Sequence, residues 1–350
     1  MVQRQEQPQV AGSPGGQPAA AEVLPDEEAQ AARSVARARV RNVVNSLSVA
    51  GGLIILAVIF SVASPYFLTA LNIYHIFQQV AVVAVLAVGQ SFVIFTAGID
   101  LSQASVVALC GAVGATVMVS DHSVLFGLLV ALAIGTGAGA ANGLLITRVK
   151  LVPFIATLAM LGVASGAALL FTGGQPVFNL PAKFTAFGSN GIYVFPYIVM
   201  VAAGIAVVFQ FYSTQTRGGR YVYAIGSNQR AAAIAGIPSD RVLVGVYTLS
   251  GVLAGVAAIL QVAYVDSAQP VADTNILLES IAAVVIGGGS LFGGEGTIWG
   301  SMIGALLIAV LYDGTELLGI SSYIQTILLG VVVVIAVGID NLRRRERVAA

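Results

Sequence analysis

Long apolar runs constrain this chain more than any other feature. Ten of them approach membrane-spanning length, near residues 47–64, 76–97, 105–119, 124–146, 152–172, 193–211, 242–264, 276–289, 298–312 and 321–338. A hydrocarbon core about 30 Å thick takes roughly 20 helical residues. No water is available there for stray backbone groups, so only helices or closed barrels cross it. The runs are continuous rather than alternating in polarity, which disfavours a β-barrel. The expected fold class is all-α: a polytopic transmembrane helical bundle of about ten spans. The runs 105–119, 276–289 and 298–312 are short, and read as broken or re-entrant helices they would reduce the count to eight.

Positive charge falls between these runs in clusters: Arg33, Arg37, Arg39 and Arg41; Arg148 with Lys150; Arg217, Arg220, Arg230 and Arg241; Arg343, Arg344, Arg345 and Arg347. Together with Arg4 they account for all but Lys183 of the 16 Lys and Arg. Short loops rich in Lys and Arg stay in the cytoplasm. With both termini inside, ten passes put every cluster there. Only 9% of residues are charged, and mean hydropathy is +0.92, whereas soluble proteins carry about 25% charged residues.

Three regions follow. Residues 1–46 are expected to be a disordered cytoplasmic tail, because the first 32 are rich in Gln, Pro, Ala and Gly with acids at Glu22, Asp26, Glu27 and Glu28 and cannot bury a core. Residues 47–340 form the membrane domain, with a long cytoplasmic loop at 213–241, and residues 341–350 a basic cytoplasmic tail. The small residues Ser61, Val62 and Ala63 would suit a signal-peptide cleavage site, but the polar leader is too long for one.

Several function classes are disfavoured. The lone Cys110 permits no internal disulfide, and His75 and His122 lack metal-site spacing. No nucleophile triad, phosphate loop or metal motif is visible, so neither a catalytic site nor a bound cofactor is expected of this chain. A net charge of zero gives no reason to invoke nucleic acid. Small-residue stripes at Gly135, Gly139 and Gly143, and at Gly251 and Gly255, read as helix-packing faces.

A membrane chain with so little chemistry of its own points to transport, and three polar constellations interrupt the apolar background. In Ala97-Gly98-Ile99-Asp100-Leu101-Ser102, Ser102 suits a helix cap and Asp100 a helix N-terminus; an acid between apolar helices is also a functional candidate. In the loop from Ser213 to Arg241, Asn228 is a candidate N-cap and Gly236-Ile237-Pro238 a stop, which predicts a short helix from about Gln229 to Ala235. Two turns are unstable alone, so this helix must be held by the bundle, lie on lipid or dock into a partner. The stretch Ile281–Gly300, with seven glycines and Glu295, should break the eighth and ninth spans and let backbones approach closely.

Taken in order, GIDLS at Gly98–Ser102, FIATL at Phe154–Leu158, GSN…AAAIAGI at Gly226–Ile237, SAQP at Ser267–Pro270 and IAAVVIGGGSLFGGEGT from Ile281 resemble the permeases of bacterial monosaccharide ABC importers, most closely the ribose type, over about residues 47–342. The resemblance implies a multi-pass homodimeric channel in the bacterial cytoplasmic (inner) membrane. Its partners would be a cytoplasmic ATPase, which uses ATP and Mg, and a periplasmic or lipid-anchored sugar-binding protein. It implies further that Gly226, Ser227, Asn228, Arg230, Ala231, Ala232, Gly236 and Ile237 belong to the coupling helix that docks on the ATPase. This chain departs from the family where Arg230 stands for a common acid and Ala233 for a common base, and where Gln103-Ala104 follow GIDLS in place of a small pair such as Val-Gly.

A neutral sugar needs hydrogen-bonding and small side chains along its path. Candidates for the pathway or its gating are Gln90, Ser91, Thr96, Asp100, Ser102, Asn142, Thr157, Gln261 and Glu295; for any one of them an interhelical hydrogen bond is the competing role. Two rival classes are an ion-coupled secondary transporter using Asp100 or Glu279, and a channel or scaffold subunit that does not pump.

Overall fold

A computed structural model of the protein describes residues 49–121 and 123–349. The N-terminal tail at 1–46 and His122 lie outside the described residues. The order is α1 (Val49–Ala63), α2 (Ala70–Phe95), α3 (Gln103–Asp121), α4 (Val124–Thr147), α5 (Pro153–Thr172), α6 (Ala182–Ser189), a small hairpin of β1 (Gly191–Ile192) and β2 (Phe195–Pro196), α7 (Tyr197–Gln215), α8 (Arg217–Ser227), α9 (Gln229–Ile234), α10 (Ser239–Val265), α11 (Thr274–Ile286), α12 (Ile298–Leu317) and α13 (Ser322–Ala349). Among the described residues, seven helices are long and apolar enough to cross a membrane, and α1, α11 and the first part of α13 are shorter apolar helices.

Two of the three runs suspected of being broken are whole. Helix α3 reaches 19 residues and α12 reaches 20, because both continue through polar residues, Ser120 at one end and Asp313 and Thr315 at the other. Only α11, with 13 residues, is short. Helix α2 begins six residues before its predicted start, since the Thr69 hydroxyl accepts from the Asn72 N–H at 3.3 Å. Its early polar residues find partners as well: Asn72 Nδ2 donates to Asp313 at 2.7 Å and Gln78 Nε2 to the Gly188 carbonyl at 3.1 Å. The predicted run 193–211 splits into the β2 edge and α7, while α6 went unpredicted. The basic C-terminal segment prolongs α13 as helix to Ala349.

Burial orders the bundle. Helix α2 is its axis, with 89% of its most apolar window buried, against 22% for α4, α5 and α7. Those three carry exposed Leu125, Phe126, Val163, Leu170, Val208 and Phe211, a surface that suits lipid and would aggregate in water. The glycine stripes meet each other: a Cβ on Gly135 would strike the Gly251 carbonyl, one on Gly139 the Tyr247 carbonyl, and one on Gly143 would lie 2.8 Å from Val244 Cα. In lipid, helices associate through close packing of this kind rather than through apolar burial, so α4 and α10 form the tightest pair. The packing expected of these stripes is what they do.

Candidate functional site

The arginine-bearing end is built around two turns. Helix α2 ends at Phe95, and Ala97 follows with φ 61°. The glycine-rich loop 287–297 wraps this end: Gly294 N–H donates to the Phe95 carbonyl at 3.0 Å, and Gly293, Gly294 and Gly296 all have positive φ, a conformation in which glycine has no steric cost. Helix α8 closes the third side. Its Gly226 lies so close to the Phe95 carbonyl and Gly294 that no side chain fits, while Tyr223 stacks on Phe95 with centroids 5.1 Å apart and donates to the Gly296 carbonyl at 3.1 Å. Burial pushes the Tyr223 phenol up to about 12, against a smaller downward effect of the Ser213 hydroxyl.

From this hub projects α9. The Asn228 side chain accepts from Ala231 N–H at 3.0 Å, as expected of an N-cap. Ile237 N–H bonds the Ala232 carbonyl at 3.0 Å and Gly236 N–H the Ala233 carbonyl at 3.1 Å, with Gly236 at φ 79°: a Schellman stop. Ala232 turns inward onto Ile225 and Leu243. Arg230, Ala231 and Ala233 are exposed, and Ile234 is 84% exposed. Helix α8 was missed because Arg217-Gly218-Gly219-Arg220 reads as loop. Its signal was present in the Thr216 cap, 3.1 Å from Gly219 N–H, and in the inward positions Gly219, Val222, Ile225 and Gly226.

Deeper in, Asp100 is 2% exposed. One carboxylate oxygen accepts from Ser102 N–H at 2.9 Å and Ser102 Oγ at 2.6 Å, the other from Ser250 Oγ at 2.8 Å. Asn142 Nδ2 donates to Ser102 Oγ at 2.9 Å, and Gln103 Nε2 to Ser250 Oγ at 3.0 Å; Ser280 Oγ donates to Gln103 Oε1 at 3.2 Å. This chain of side chains joins the GIDLS turn to α3, α4, α10 and α11. A buried carboxylate without a cation depends on such donors, so Asp100 fastens helices together. Gln103, directly after the GIDLS turn, is the link that reaches α11.

Two cavities open toward the opposite end. One, of about 290 Å³, lies among α2, α10, α11, α12 and α13 and presents Gln79, Gln261, Asp273, Asn275, Glu279 and Tyr312. The other, of about 320 Å³, runs between α3, α10 and the loop after it, with Ser267 and Gln269 in its wall. Gln261, Val265, Asp273 and Ile276 border both. Among the described residues, no cluster of His, Cys, Asp or Glu has metal-site geometry.

Of the predicted pathway residues, only Gln261 borders these cavities. Asp100, Ser102 and Asn142 belong to the buried network. Thr96 bonds the Val93 carbonyl at 2.8 Å, and Thr157 ties α5 to the Ile99 carbonyl at 3.3 Å. Ser91 meets Ser301 at 2.8 Å, and Gln90 is fully buried with neither amide atom partnered. Glu295 sits half-buried in the glycine-rich loop, its carbonyl accepting from Ser290 N–H at 3.2 Å. Of the residues that the resemblance assigns to the coupling helix, Gly226 and Ala232 are buried and Ile237 is half-buried, while Ser227, Asn228, Arg230, Ala231 and Gly236 are exposed. Which face of an apolar helix meets a cavity depends on neighbouring helices, and no periodicity in these runs reports it. Gln79, Asp273 and Tyr312 went unremarked for the same reason, and Glu279 was singled out only as an ion-coupling site.

The family of branched-chain amino acid transport system permease components matches residues 72–337, which take in the network, both cavities and the hub around α8 and α9. The chain belongs to this family. Its relatives within the permease family include the ribose import permease protein of Escherichia coli (strain K12), 41% identical over 83% of this chain and 92% of the relative. The ribose import permease protein of Bacillus subtilis (strain 168) is 42% identical over 83% of this chain and 91% of the relative. The D-allose transport system permease protein of Escherichia coli (strain K12) is 33% identical over 83% and 89%. No solved structure matches the chain.

Proposed function

We propose that this permease is the translocation subunit of an ATP-driven importer for a monosaccharide, ribose or a related sugar, in the bacterial cytoplasmic membrane. The carrying observation is the similarity to ribose import permeases, 41% and 42% identical over 83% of the chain. The cavities agree with it: their amide, carboxylate and hydroxyl groups suit the hydroxyls of a neutral sugar, and no cation lines either one. The bundle is assigned ten passes with both termini inside, because that arrangement places the arginine-bearing end, α8 and α9 in the cytoplasm.

In this reading two copies form the channel, and α9 docks on a separate ATPase that binds ATP and Mg and supplies the energy. A periplasmic or lipid-anchored sugar-binding protein delivers the sugar to the cavity end. Exposed Ile234, beside Arg230, Ala231 and Ala233 on a short capped helix, supports docking into a protein groove. Movement of α9 is passed through α8 to the glycine-rich loop and the end of α2, and from there through Asp100, Ser250, Gln103 and Ser280 to α11, which lines the sugar cavity. The chain itself performs no catalysis.

ATP hydrolysis by the chain reconstituted with its candidate ATPase, with and without sugar-loaded binding protein, tests the proposal. Stimulation by one loaded binding protein is expected. Glu279 in the cavity wall favours one alternative, an ion-coupled carrier, in which uptake collapses with an ionophore and ignores ATP depletion.

A further inference from the structure

A third cavity lies at the arginine-bearing end, apart from the sugar cavities. It occupies about 420 Å³ where α7, α8 and α10 diverge. Phe209 and Tyr212 form its aromatic wall, with ring centroids 6.4 Å apart, and both pack at 5.8 Å on Phe92, which is buried behind them. Val246 faces them, and a Cβ added to Gly245 would meet nothing within 4 Å, so the glycine leaves room beside α10. Tyr212 is 38% exposed, which makes the slot open outward. At its rim stands Arg241, exposed in the first turn of α10, with Arg217 and Arg220 exposed on α8. The carboxylate next to it in sequence, Asp240, is held by Lys150 at 3.2 Å.

An apolar slot with a guanidinium at its rim, placed where spans meet the cytoplasm, has the chemistry of a phospholipid site. The chain of the lipid takes the slot, and basic residues at that depth attract anionic headgroups. A second copy of this chain fits less well, because a two-fold contact sets each patch against itself and would bring the two Arg241 rims together. We propose that the slot binds one anionic phospholipid, its acyl chain along Phe209 and Tyr212 and its phosphate on Arg241. The lipid would then wedge α7 and α8 against α10 beside the helix that carries α9.

The full chain, delipidated in neutral detergent, is tested by native mass spectrometry with phosphatidylglycerol, phosphatidylcholine or inorganic phosphate added. One phosphatidylglycerol is expected to be retained in preference to phosphatidylcholine. Arg241→Gln should weaken retention about fivefold, the effect of one surface cation, and Gly245→Leu should abolish it by filling the slot, with unchanged thermal stability in lipid-free detergent. Equal retention of both lipids, or retention unaffected by both variants, overturns the proposal. Displacement of the lipid by inorganic phosphate overturns the role of the acyl chain, and an Arg241→Cys disulfide between copies that forms at the expense of lipid assigns the slot to a second copy. Should Gly245→Leu fail to fold, Arg241→Gln decides, because it changes an exposed residue.

Discussion

Gly236 offers a perturbation whose cost comes from the backbone alone. It holds φ 79° at the end of α9, and a Cβ there would meet nothing within 4 Å, so steric conflict with neighbours contributes nothing to the effect of a substitution. An L-residue in the left-handed region costs about 1–2 kcal/mol, with Asn among the cheapest and β-branched residues the dearest. Relief of that strain would break the two hydrogen bonds to Ala232 and Ala233, each worth about 1 kcal/mol. Because α9 has only six residues, an expected penalty of about 2 kcal/mol for Gly236→Val reduces the ratio of formed to frayed helix end roughly 30-fold. Gly236→Asn should behave nearly as wild type, Gly236→Ala should fall between, and the bundle should melt at the same temperature in all three. Binding-protein-stimulated ATP hydrolysis in reconstituted complexes, normalised to the unstimulated rate, should follow the order Gly, Asn, Ala, Val. Full stimulation with Val would refute the argument that this stop holds a docking helix in shape.

At Asp100 the two obvious substitutions should diverge: Asn preserves the acceptor for Ser102 and removes a buried charge, costing at most about 1 kcal/mol, whereas Ala strands the Ser102 N–H and costs about 2–4 kcal/mol. Unfolding in mixed micelles separates them, and equal stabilities would show that the network does not hold the helices. Gly139→Leu drives a side chain into the Tyr247 carbonyl and should prevent α4 from seating on α10, read as loss of folded protein on size exclusion; normal yield would refute the packing account. Replacing Gln261, which borders both cavities, by Leu should raise the sugar concentration for half-maximal uptake several-fold while leaving the melting temperature within a few degrees. For Tyr223 the folded pKa, about 12, lies above the ordinary value of 10.0. Its contribution is therefore complete below pH 10 and lost as pH rises through about 12, so Tyr223→Phe should flatten the alkaline limb of a stability profile between those values and leave lower pH unaffected.

Much of the architecture could be read from the chain because membrane insertion leaves a one-dimensional record. Apolar runs of spanning length and clustered arginines specify helices and their ends by composition, since lipid admits few alternatives. The caps and stop of α9 were equally legible, as Asn228, Gly236 and Ile237 act on backbone within a few residues of themselves. The glycine stripes announced close packing, although not that α4 and α10 were partners. Tertiary structure alone decided which polar residues fasten the bundle and which face a cavity. Asp100 bonds Ser250, 150 residues away, and Gln103 meets Ser280, 177 residues away. An apolar helix in lipid has no wet face to give its polar side chains a direction, so Asn142 and Gln261 look alike in sequence until neighbouring helices bury one and leave the other on the wall of a cavity.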